Sequence, residues 1–148
     1  MIDVGKEVAV PRGAIKLTKN TLKALMQRFG LQKKDVSVYF CDERTIMDLN
    51  SQYRFNDAPT DVLSFAGEDD FLGEIIICVP VALRQAQESN VGWQVEFAML
   101  LIHSFLHLLG YDDETEEGYN EMVSIQNQIL KEFGYEESAI NRLLPDSR

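Results

Sequence analysis

The sequence predicts an α+β (α/β mixed) fold: a small, mostly mixed β-sheet covered by helices, with a central buried helix carrying candidate metal ligands. Three observations predict it. Short β-branched runs alternate along the chain with stretches of helical period, which mixes strands and helices in one unit. The run from Phe97 to Leu109 is apolar around most of its girth, so that helix belongs inside. Both histidines of the chain, His103 and His107, fall on it one helical turn apart and therefore share a face.

The elements follow in order. Glu7 to Val10 reads as an edge strand. Thr18 is the expected N-cap of a helix running to Phe29, because Leu22, Leu25, Met26 and Phe29 recur at helical spacing and Gly30 stops it. Asp35 to Cys41 alternates like a strand with one buried face. Asp42 then caps a second helix with Ile46, Leu49 and Tyr53 as its inward stripe. Asn56-Asp57-Ala58-Pro59 is turn chemistry, since Pro59 disfavours helix at the residue before it. Thr60 to Phe65 reads as a short strand and Gly73 to Val79 as a mostly buried one closed by Pro80. Val81 to Ser89 is helical in pattern, and the apolar helix begins at about Gln94. Thr115, with Gly118 and Tyr119, opens a last helix whose inner stripe is Met122, Ile125, Ile129 and Leu130, ending at Gly134. From Tyr135 to Arg148 there is no firm period, and this tail is expected to fray. Strand order is not legible from these patterns.

The 148 residues are expected to form a single domain over 1–148, long enough to bury a sizeable core. Cys41 and Cys78 sit inside apolar, strand-like runs and read as reduced core residues. Neither a leader-like start nor an apolar run of bilayer length is read, so the expected location is cytoplasmic. The net charge of −10, with acids concentrated at Glu68-Asp69-Asp70 and from Asp112 to Glu117, argues against a broad, non-specific grip on nucleic acid. A polyanionic substrate would need a local basic patch, a metal or a partner.

The chemistry concentrates in His103-Ser104-Phe105-Leu106-His107-Leu108-Leu109-Gly110-Tyr111-Asp112-Asp113. Two imidazoles on one face of a buried helix are expensive unless their nitrogens are satisfied, and one cation satisfies both. Gly110 suits a left-handed helix stop, and a chain reversing there brings Asp113 back beside the rings. Three ligands with an open position describe a catalytic metal site more than a structural one. The alternative for Asp113 is a solvated loop acid, and for the histidines a packed pair.

At these residues the chain resembles the YbeY family of single-domain bacterial metalloproteins. That family carries His-Gly-x-Leu-His-Leu-x-Gly-Tyr-Asp-His. A second family block, Tyr-Arg-x-x-Asp-x-Pro-Thr-Asp-Val-Leu-Ser-Phe, matches Tyr53 to Phe65, and a third, Leu-Gly-Asp/Glu-Ile-x-Ile-Cys, matches Leu72 to Cys78. The resemblance implies a single-strand-type endoribonuclease acting in rRNA maturation and ribosome quality control, which uses one divalent ion, Zn2+ by default. The implied partners are ribosomal RNA precursor and small-subunit ribosomal proteins. His103, His107 and Asp113 would be the metal ligands, and Arg54 would be a functional residue gripping phosphate. Without the matched block, Arg54 would read as an ordinary surface arginine after a helix.

Two departures bear on the site. The family glycine is Ser104 here, whose hydroxyl is within reach of a carbonyl one turn back. The third histidine is Asp113, and a carboxylate in place of imidazole lowers the charge of the site, makes a bound water less acidic and favours harder cations. Asp112 is a candidate second-sphere acceptor for an imidazole N–H.

Two other readings share this pattern. His-x-x-x-His-x-x-Gly-x-x-Asp resembles the metzincin protease signature, but Ser104 stands where those enzymes carry a glutamate base. A non-catalytic ribosome-assembly factor with a structural metal is the other, and the acidic composition would suit docking on a basic ribosomal protein.

Overall fold

The computed structural model describes residues 1–54 and 60–143. The elements run β1 (Ile2–Lys6), α1 (Ala14–Arg28), β2 (Asp35–Cys41), α2 (Glu43–Arg54), β3 (Val62–Ala66), β4 (Phe71–Cys78), α3 (Val79–Glu88), α4 (Trp93–Leu108), α5 (Glu116–Glu132) and α6 (Glu137–Arg142). The sheet has the order β1-β2-β4-β3; β1, β2 and β4 are parallel and β3 runs antiparallel to β4, so the sheet is mixed as expected. Parallel neighbours cannot be joined by a hairpin, and α1 supplies the crossover between β1 and β2.

Alternation in β2 sends Val36, Val38 and Phe40 to one face, where they meet Ile75 and Ile77 of β4 and the buried residues of α1 and α4. The opposite face carries Cys41, Ile76 and Cys78 beneath Ile46 of α2 and Val81 of α3. Burial pushes the Cys41 thiol up to about 12 and raises that of Cys78, so both are inert packing groups. Every residue of α4 from Val95 to Leu106 is buried, and the helix is enclosed by α1, α3, α5 and the sheet. Among the described residues no single helix is long and apolar enough to cross a membrane.

Several boundaries differ from the sequence pattern, each for a local reason. The N-terminal strand is Ile2–Lys6 and not Glu7–Val10, because Ile2 to Lys6 pair with Val36 to Phe40. The Glu7 carboxylate instead accepts from the Tyr39 hydroxyl, the Asp42 N–H and the Thr45 hydroxyl. Helix α1 begins at Ala14, not after Thr18. The Ala14 N–H donates to Pro11 O at 3.0 Å and Gly13 adopts φ 90°, a turn that starts the helix one turn early. Thr18 is thereby buried mid-helix. Tyr53 is 59% exposed rather than inward, and its ring meets Phe65 edge-on at 5.4 Å. Asp42 does cap α2, accepting from the Thr45 N–H at 2.9 Å. The expected fraying tail contains α6, anchored by the buried Ile140. The expected turn at Asn56 to Pro59, and residues 144–148 of the tail, lie outside the described residues.

Candidate metal centre

Because α4 is apolar on all sides, its burial is set by its own composition, and the polar groups it carries inward must be matched locally. The helix ends in a Schellman motif: the Gly110 N–H donates to His107 O at 3.0 Å and the Tyr111 N–H to Leu106 O at 3.1 Å, with Gly110 at φ 98°. This reversal returns the chain over the last turn of α4. Asp113 Oδ2 then lies 3.4 Å from His107 Nε2 and 3.9 Å from His103 Nε2, and the two Nε2 atoms are 3.0 Å apart. One ligand atom from each of the three residues falls within 4.8 Å of the others. The rings stand at 77° with centroids 4.6 Å apart, so both edges aim at a common point instead of stacking.

The proton on His103 is set from α5. Its Nδ1 lies 3.1 Å from Gln126 Oε1, an atom that can only accept, so neutral His103 carries its hydrogen on Nδ1 and turns the Nε2 lone pair toward His107 and Asp113. Gln126 was not among the sequence candidates. The signal was there: it falls one turn after Met122 on the inner stripe of α5, a polar residue 7% exposed in an apolar row. Asp112, the sequence candidate for this second-sphere role, has turned away, accepting from the Glu114 N–H at 2.7 Å through Oδ1. Ser104 is fully buried, and among the described residues its hydroxyl meets no partner, so the back-bond to a carbonyl one turn earlier is not made.

The ligand cluster is graded in exposure. The side chains of His103, Asp113 and His107 are 4%, 13% and 29% exposed, which leaves the approach on the His107 side. The loop carrying Asp113 is held from α5: Thr115 caps the helix by accepting from the Gly118 N–H at 2.9 Å, and a Cβ at Gly118 would sit 2.3 Å from Asp112 O. Removing that cap with Thr115→Ala is expected to cost about 1 kcal/mol of stability, measured by denaturant unfolding. From below, β4 admits α4 at a glycine. Gly73 lies at φ 146°, and a Cβ there would fall 2.3 Å from Phe65 O and 2.7 Å from Leu108 Cδ2.

Two nitrogens and one carboxylate oxygen, convergent and with one tautomer preset, fit a divalent cation of the zinc class. Two helical turns before His103, a second buried group occupies the start of α4. With its amide NH2 turned toward them, Gln85 donates to Asp61 Oδ2 at 3.1 Å and to Glu96 Oε2 at 3.2 Å. Both acids are almost fully buried, and neither is part of the ligand cluster. Arg54 closes α2, and its side chain lies outside the described residues.

A family model described as endoribonuclease YbeY matches residues 3–134. The endoribonuclease YbeY of Macrococcus caseolyticus is 45% identical over 114 residues, covering 70% of this chain and 74% of its own. That of Bacillus subtilis is 36% identical over 154 aligned positions, covering 93% and 98%. A Thermotoga maritima protein with a solution structure superposes with a TM-score of 0.62 at 29% identity, covering 90% of this chain and 91% of that one.

Proposed function

The chain belongs to the endoribonuclease YbeY family, and from that premise we propose that it hydrolyses phosphodiester bonds in ribosomal RNA precursor during ribosome maturation. The observation that carries the reading is the convergence of the two Nε2 atoms and Asp113 Oδ2, with Gln126 holding His103 in the tautomer a cation needs. His103, His107 and Asp113 would hold one divalent ion, Zn2+ in the first instance, with the carboxylate widening the choice toward harder cations. Such an ion, when bound, supplies Lewis acidity toward water and toward a phosphoryl oxygen.

The protein's own groups do the rest. Gln126 keeps the His103 proton on Nδ1, away from the reacting side. Asp113 holds negative charge against both rings and is itself held by the capped start of α5. Burial of His103 excludes bulk water from the back of the site, so the RNA is admitted past His107. Arg54 is proposed to grip phosphate oxygens through its planar fork and to stabilise charge developing on phosphorus, a role for which lysine is a poorer fit. Ser104 offers no carboxylate where a metzincin protease needs its base, so peptide hydrolysis is not the expected reaction. A cytoplasmic location and contact with small-subunit ribosomal proteins belong to the same proposal.

The test is to incubate zinc-loaded protein with a structured ribosomal RNA fragment and with a peptide library. The RNA is expected to be cut and the peptides left intact, with chelation stopping the reaction. Cleavage of peptides alone, or rescue of rRNA maturation in a depleted cell by Arg54→Ala and His107→Ala proteins, would overturn the reading.

A further inference from the structure

The charge of this protein is not spread evenly. Residues 1–34 hold eight of the fourteen Lys and Arg but only two of the twenty-four acids, a net +6 in a chain of net −10. The fold collects part of that excess into one place. Lys6 at the end of β1, Arg12 in the connecting turn, and Lys16 and Lys19 in the first turns of α1 line an open groove of about 590 Å³. All four are exposed, and among the described residues none of them forms an ion pair. The one acid beside them in sequence, Glu7, is drawn away by its bonds to Tyr39, Asp42 and Thr45. A second depression of about 500 Å³ shares Lys16 with the first and continues to the half-buried rings of Phe133 and Tyr135.

We propose that this groove is a binding track for single-stranded RNA, separate from the metal centre. The inference rests on the endoribonuclease reading for the identity of the polyanion. A line of unpaired cations leading to aromatic rings is the arrangement that follows a sugar-phosphate backbone and receives bases on π-faces. It also answers a difficulty of composition, since an acidic protein gains affinity for RNA only through a local concentration of cations. The groove lies at the opposite end of α1 from the metal centre. Phe29, just past the C-terminus of α1, meets Phe105 of the histidine helix with ring centroids 5.8 Å apart, and the intervening helix rises about 20 Å. RNA held here is gripped at a distance from the reacting phosphate. An anionic bilayer is the less fitting partner, because a broad flat surface would also meet the acid-rich remainder of the molecule, whereas a flexible strand follows the groove.

The experiment measures binding of a fluorescently labelled oligouridylate by the full chain in chelator, where no cleavage occurs, across a range of salt. Lys16→Glu/Lys19→Glu is expected to weaken binding by roughly tenfold or more and to reduce the slope of log affinity against log salt by about 1.4, for two phosphate contacts at ~0.7 each. Lys16→Gln/Lys19→Gln is expected to reduce the slope alike with a smaller loss of affinity. Arg44→Glu, on α2, is expected to change affinity by less than about twofold. Equal weakening by all three variants, or by none, overturns the proposal. So does a loss of binding to phosphatidylserine vesicles with RNA binding intact. If the wild-type protein with metal cuts no RNA while the lysine variants still lose RNA binding, the groove stands and the hydrolase reading falls.

Discussion

His103→Ala is expected to eliminate stoichiometric metal binding and to lower RNA cleavage by more than about a hundredfold, because second-sphere changes alone cost 10–100-fold in such sites. His107→Ala is expected to do the same. The two differ in what else they disturb. His103 is almost fully buried, so its removal also opens a void beside Gln126 and strands that amide oxygen, and unfolding is expected to report a stability loss. His107 is partly open to solvent and its loss falls on metal and activity with little effect on folding. Metal content by elemental analysis, cleavage of the ribosomal fragment and denaturant unfolding separate these effects. Asp113→Ala, measured in parallel, decides the ligand count: retention of stoichiometric metal with Asp113 absent would leave a two-histidine site and remove the carboxylate from the scheme.

The second large effect is at Gln126. Gln126→Leu keeps a similar volume while deleting the acceptor of the His103 Nδ1 proton, and metal affinity is expected to fall about 10–100-fold. The cause is a choice of tautomer: without an acceptor on α5, the ring is free to place its hydrogen on Nε2, the atom that must carry the lone pair. Gln126→Glu restores an acceptor and is expected to keep the metal. Competition against a chelating dye reads the affinity, and nitrogen NMR of the imidazole reads the tautomer. Unchanged affinity together with an unchanged tautomer in Gln126→Leu would show that packing alone fixes the ring.

Much of this site is written in local sequence. The spacing of His103 and His107 on a helix apolar around most of its girth, the glycine stop at 110 and the cap at Thr115 are short-range features, and each is found where its pattern places it. The failures are of two kinds. Where two starts compete, as at Thr18 against the Pro11-to-Ala14 turn, propensity does not choose between them and the crossover from β1 does. Where a partner lies far away in sequence, no window reveals it. Gln126 is 23 residues from His103, and Gln85 on α3 bridges Asp61 and Glu96, so that three separate parts of the chain meet. Strand order is the same problem on a larger scale: β3 and β4 form a local antiparallel hairpin, but the parallel pairs that order the sheet join Ile2 to Val36 and Val36 to Gly73, far apart in sequence.

The absence of a side chain at position 73 lets two strands and the end of the histidine-bearing helix crowd together at one point. The tip of the Leu108 side chain and the Phe65 carbonyl both occupy the space a methyl would claim. A methyl there would collide with the Phe65 carbonyl of β3 at 2.3 Å, an obstacle of rigid backbone, while the tip of Leu108 at 2.7 Å could rotate aside. A side chain at position 73 would therefore prise the β3–β4 hairpin apart before it lifted the helix above, so the cost of such a change falls on the sheet edge.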